Sequence, residues 1–99
     1  MTFGGSLAYT RWLELARLYP RFALTPTREI DRVWHEHMTD PAQYAADCLR
    51  FAGYVPEHNE RPSVRERRKG FSRLRRLWKL HFNEQLTGAP AVCDKRAHG

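Results

Sequence analysis

The sequence predicts an all-α fold, a compact four-helix bundle or orthogonal array. Three observations point to it. Apolar residues recur at helical spacing through most of the 99 residues, prolines and capping residues divide the chain at helix-length intervals, and nothing alternates with period two for long enough to make a strand.

The first helix is expected from about Ser6 to Tyr19. Leu7, Trp12, Leu15, Ala16, Leu18 and Tyr19 supply its apolar positions, and Pro20 stops it. Phe22 and Leu24 pin the connection that follows. A second helix is expected to start at Thr25-Pro26, a good N-cap followed by a proline that forfeits no needed hydrogen bond at the first helical position. Ile30, Val33, Trp34, His37 and Met38 then form its buried stripe. Asp40-Pro41 repeats the start signal for a third helix that reaches about Phe51, with Ala45, Cys48, Leu49 and Ala52 inward and Gly53 as C-cap. Tyr54 to Pro62 reads as a loop. The fourth helix is expected from about Ser63 to Leu86, lined by Val64, Phe71, Leu74, Trp78, His81 and Phe82, with Gly70 a weak point in its middle. Residues 1–99 make one domain with a core of about 6–86, and 87–99 read as a flexible tail.

Composition narrows the function classes. No apolar run approaches the roughly 20 residues of a membrane span, so no membrane partner is expected. The N-terminus lacks the basic and apolar regions of a secretory signal. Two cysteines, Cys48 and Cys93, make no disulfide framework, and a cytoplasmic protein with reduced thiols is expected. The net charge of +6 allows a nucleic acid, an acidic protein, a membrane surface or plain solvated surface, so the placement of charge matters more than its total.

The stretch Thr25 to Glu60 holds three of the five histidines, one cysteine, Asp31 and Asp47. Asp31 and His35 are four apart and share a helix face, so the carboxylate can orient the imidazole as outer carboxylates do around metal-bound histidines. Cys48 falls on the inner face of the next helix, and His58 lies in a loop that must double back. His35, Cys48 and His58 are therefore candidate ligands of a metal, and nitrogen and sulfur donors suit zinc. His37 is the alternative to His35. The two lie about 200° apart on a regular helix, so only one can face a given site, and Asp31 one turn behind favours His35. Trp34, Tyr44 and Asp47 join Asp31 as supporting residues. Without a metal, Asp31, Trp34, His35 and Tyr44 would make a buried hydrogen-bonded network between two helices. His-Glu-His-Met is not the His-Glu-x-x-His of metalloproteases.

The segment Pro26 to Tyr44, with its Ile-Asp-x-x-Trp-His-x-His element followed by a proline and a tyrosine, resembles the glycine-rich domain-containing protein-like family. The resemblance rests on Asp31, Trp34, His35, His37, Pro41, Tyr44, Cys48, Gly53 and His58, and weakly on Trp78 to Glu84, which is similar to an aromatic helix of short bacterial members. It implies a helical fold and a shared polar site, and it supplies no reaction. No glycine-rich region is present.

Nine cations fall between Arg61 and Lys79, and most gather opposite the apolar side of the fourth helix. Arg65, Arg68, Lys69, Arg73 and Arg76 are the candidate partner- or phosphate-binding residues. Helix-turn-helix, zinc-finger and RNA-recognition patterns are missing, as are aromatics interleaved on the basic side. An acidic protein partner is the favoured reading, with nucleic acid as the alternative. The overall expectation is a small helical accessory or binding protein with a His/Cys polar site for zinc. A small metal-dependent enzyme using His35, Cys48 and His58, or a nucleic-acid-binding module, are its rivals. Three protein ligands with an open fourth position would fit catalysis, and four would fit structure.

Overall fold

A computed structural model describes residues 2–99. It contains four helices, α1 (Leu7–Leu18), α2 (Arg28–Met38), α3 (Pro41–Ala52) and α4 (Val64–Phe82), and two short strands, β1 (His58–Asn59) and β2 (Asp94–Lys95). Each helix opens on a side-chain cap: Ser6, Thr27, Asp40 and Ser63 accept from the backbone N–H three residues on. Gly53 closes α3 at φ 79°, where a side chain would be strained. No helix among the described residues is long and apolar enough to cross a membrane.

Helices α1, α2 and α3 pack on one another around Trp12, Leu13, Leu15, Ile30, Trp34 and Tyr44. Trp12 and Trp34 meet at 4.6 Å between ring centroids and are both fully buried. Helix α4 lies across this core through Leu74 and Trp78 and is fastened at its edges: Tyr19 bonds His81, and Arg11 pairs with Glu84.

The structure corrects three expectations. The second helix starts at Arg28 with Thr27 as cap, because Thr25 and Pro26 are already engaged as extended chain. The Thr25 hydroxyl donates to the Arg67 carbonyl, and the Pro26 carbonyl accepts from Ala91 N–H. The fourth helix ends at Phe82, where Asn83 turns left-handed at φ 53°, so Leu86 lies beyond it. Residues 87–99 are not a loose tail. Ala91, Cys93, Asp94 and Lys95 are buried, and β2 pairs antiparallel with β1, His58 opposite Lys95 and Asn59 opposite Asp94. This two-stranded ladder is too short to show as alternation in sequence.

Gly70 is a packing requirement. A Cβ there would sit 2.5 Å from Thr25 Oγ1 and 3.1 Å from Thr25 N. Gly70→Ala should therefore destabilise the protein by about 1 kcal/mol net, because overpacking costs about 1–3 kcal/mol and the better helix propensity returns at most about 1. A urea midpoint that falls in Gly70→Ala supports this, and one that rises contradicts it.

Candidate metal centre

Asp31 and His35 project from one face of α2, a turn apart. The imidazole Nε2 of His35 lies 3.4 Å from Asp31 Oδ2. Strand β1 carries His58 to the same place, its Nε2 3.8 Å from Asp31 Oδ1. The ladder between β1 and β2 then brings in the residue before β2: the Cys93 thiol donates to Asp31 Oδ1 at 2.9 Å. One ligand atom from each of Asp31, His35, His58 and Cys93 lies within 4.8 Å of every other. Donors around a tetrahedral zinc, at roughly 2.0–2.3 Å from the ion, would stand about 3.3–3.8 Å apart, so a contraction of about 1–1.5 Å at the widest pair would close this group on a cation.

The pocket has a dry side and a wet side. Cys93 is 2% exposed, while the His35 side chain keeps 52% of its surface in solvent, leaving a path for an ion. Trp34 backs the group, its ring 4.6 Å from that of His58. The His58 Nε2 is buried with no hydrogen-bond partner, and buried polar atoms in folded proteins rarely go without a protein, water or metal partner. Burial, followed by the nearby His35, lowers the His58 pKa and favours the neutral imidazole that ligates metals. Burial and the Asp31 carboxylate push the Cys93 thiol up to about 12, so the metal-free site holds it as a thiol that donates to Asp31.

The other residues singled out in the sequence are placed elsewhere. Cys48 stands outside the group. It is buried in the core beside Tyr44, its thiol pushed up to about 11 by burial, because the inner face of α3 serves the packing of the three helices. His37 points away from His35. Its Nδ1 meets the Tyr9 hydroxyl at 2.7 Å and its Nε2 meets Asp47 Oδ2 at 2.8 Å, which ties α1, α2 and α3 together. The His37 hydrogen bond holds the Asp47 carboxyl below the usual carboxylate range, so Asp47 supports His37 and not the metal group. Trp34 Nε1 donates to the Tyr44 hydroxyl at 2.9 Å, and that hydroxyl donates to the Pro56 carbonyl at 2.8 Å. Tyr44 thus steadies both Trp34 and the chain that leads to His58. Asp31, placed in the sequence behind a ligand, is at the centre of the group. Cys93 is the residue that sequence reasoning missed.

Two proteins of Arabidopsis thaliana are similar to this chain. Glycine-rich domain-containing protein 1 is 32% identical over 80 residues, covering 77% of this chain and 10% of that protein. Glycine-rich domain-containing protein 2 is 32% identical over 71 residues, covering 68% of this chain and 9% of that protein. The chain thus spans about a tenth of the length of the curated relatives it matches. No protein-family model and no solved structure matches it.

Proposed function

The chain is a relative of the glycine-rich domain-containing proteins, and we propose that it holds one zinc ion between Asp31, His35, His58 and Cys93. The observation that carries this reading is the convergence of four donors from three separate segments on one point, with the buried His58 Nε2 left without a partner. Two imidazoles, a carboxylate and a thiolate suit a borderline-soft divalent ion, and zinc takes this donor set in tetrahedral geometry. Four protein ligands make a closed site, which supports a structural role over an open catalytic one. The ion would join α2 to β1 and to the C-terminal segment, reinforcing the two-residue ladder between β1 and β2.

Element analysis of the purified protein by mass spectrometry tests the proposal. About one zinc per chain is expected, lost or much reduced in Cys93→Ser and His58→Ala and retained in Cys48→Ser. A folded, metal-free protein that zinc cannot reconstitute would overturn it. Equal metal loss in Cys48→Ser and Cys93→Ser would point to a different ligand set.

A further inference from the structure

Helix α4 carries a face that the rest of the molecule does not use. Arg65, Arg68, Lys69, Arg75, Arg76 and Lys79 recur at i, i+3, i+4, i+10, i+11 and i+14, and Ser72 fills the missing i+7 position. These positions fall within about 120° of the helix surface and span about 21 Å. All six cations are exposed. Four arginines elsewhere pair with acids, Arg11 with Glu84, Arg17 with Glu14, Arg32 with Glu36 and Arg96 with Glu57, and none of the six has a carboxylate partner among the described residues. Arg73, included in the stripe by sequence, is not part of it. Its guanidinium donates to the Ala23 carbonyl at 2.8 Å and lies over the Phe22 ring.

A groove runs beside this ridge, between α4 and the segment 85–90. Two hollows of about 340 and 390 Å³ meet at Ser72 and Arg75. Their apolar floor comes from Val64, Phe71, Leu86 and Pro90, and Arg68, Arg75, Arg76 and Lys79 supply the basic rim. The far wall is fixed in place: Arg67 donates to the Ala91 carbonyl at 2.7 Å, and Arg28 N–H donates to the Ala89 carbonyl at 2.9 Å.

We propose that this groove docks an acidic peptide segment of a partner protein, one in which apolar side chains interleave with glutamates or aspartates. The rim supplies charge complementarity, and the floor supplies apolar surface that a bare polyanion would leave uncovered. A duplex nucleic acid would meet the rim and not the floor, and stacking on single strands needs exposed aromatic rings where this face has only the half-buried Phe71.

The test uses the full chain and three fluorescent probes. One is a peptide of about eight residues with glutamates interleaved with leucines, long enough when extended to cover the stripe. The second has serine in place of leucine, and the third is a short DNA duplex. The leucine peptide should bind more tightly than both others at physiological salt. Arg75→Glu and Arg76→Glu should each weaken it by about tenfold. Val64→Ser, at a residue 66% exposed and therefore free of folding consequences, should weaken the leucine peptide and leave the serine peptide unchanged. Absence of binding, equal binding of the two peptides, or tighter binding of the duplex would overturn the proposal, and the last would assign the face to nucleic acid.

Discussion

Removing the zinc ion proposed for the Asp31–His35–His58–Cys93 site should lower the thermal midpoint of the protein by about 20 °C. A ligand that binds only the folded state stabilises it by about 4 kcal/mol at a free concentration a thousandfold above its dissociation constant, and for a domain of this size each kcal/mol moves the midpoint by about 4–8 °C. Complete unfolding is not expected, in contrast to small zinc-dependent modules whose fold exists only with metal. Here Trp12, Leu13, Leu15 and Ile30 make a core that reaches the site only through Trp34. The loss should be local first. Amide exchange should accelerate at His58–Asn59 and at 91–96 before it does so in α1, since those segments lie outside the helical core and are held by the two-residue ladder and a few bonds to Leu24, Pro26 and Arg67. Calorimetry and hydrogen exchange with and without chelator check both parts. Cys93→Ser should reproduce the chelated protein and gain nothing from added zinc. A midpoint that chelation does not move would show that the ion, if bound, is not structural.

The helices could be read from sequence because the signals that make them are local. Ser6, Asp40 and Ser63 cap the helices that follow them, and most apolar positions of α1 and α2 sit at the spacing that packing needs, whereas Leu7, Leu18 and Leu49, expected on inner faces, are exposed. Thr25-Pro26 carries the same local signal, yet the start of α2 moves to Thr27 because Leu24 and Pro26 bond to the C-terminal segment at Lys95 and Ala91. That is a tertiary preference no local pattern encodes. The candidate site divides in the same way. Asp31 and His35 share a helix face by arithmetic, and the 200° between His35 and His37 places them on different sides of α2, one with Asp31 and the other with Tyr9 and Asp47. Cys93 lies 62 residues from Asp31, in a segment without periodicity, and reaches it through a strand ladder two residues long. Cys48 is the cysteine the pattern offers, because it falls on the inner face of the helix next to His35. Which cysteine joins His58 depends on where the return path of the chain runs, and that path is set by contacts distant in sequence.

The anchor of that return path is Lys95, and replacing it should be nearly as damaging as removing the metal. Lys95 is fully buried, and its ammonium donates to the carbonyls of Pro20 at 3.2 Å, Phe22 at 2.5 Å and Arg96 at 3.3 Å. Burial pulls its pKa down to about 8, which still leaves it mainly charged at neutral pH. Its neighbour Asp94 is also buried, and burial raises the pKa of that carboxyl, while the hydrogen bonds of the ammonium all go to the carbonyl cage. Lys95→Met keeps most of the length of the side chain and removes all three hydrogen bonds. Each bond to a charged donor is worth about 1.5–3 kcal/mol, and each stranded acceptor costs about 1–3. Release of a buried charge returns part of this. The balance is a loss of about 3 kcal/mol, or about 15 °C in the midpoint. Because Cys93 is two residues away on the same pinned segment, Lys95→Met should also weaken zinc binding while leaving all four donors intact. A melt and a zinc titration of Lys95→Met measure both effects. An unchanged or raised midpoint would show that the cost of burying the ammonium outweighs its hydrogen bonds. A lowered midpoint with unchanged zinc affinity would show that Cys93 is placed by the ladder to β1 without help from this cage.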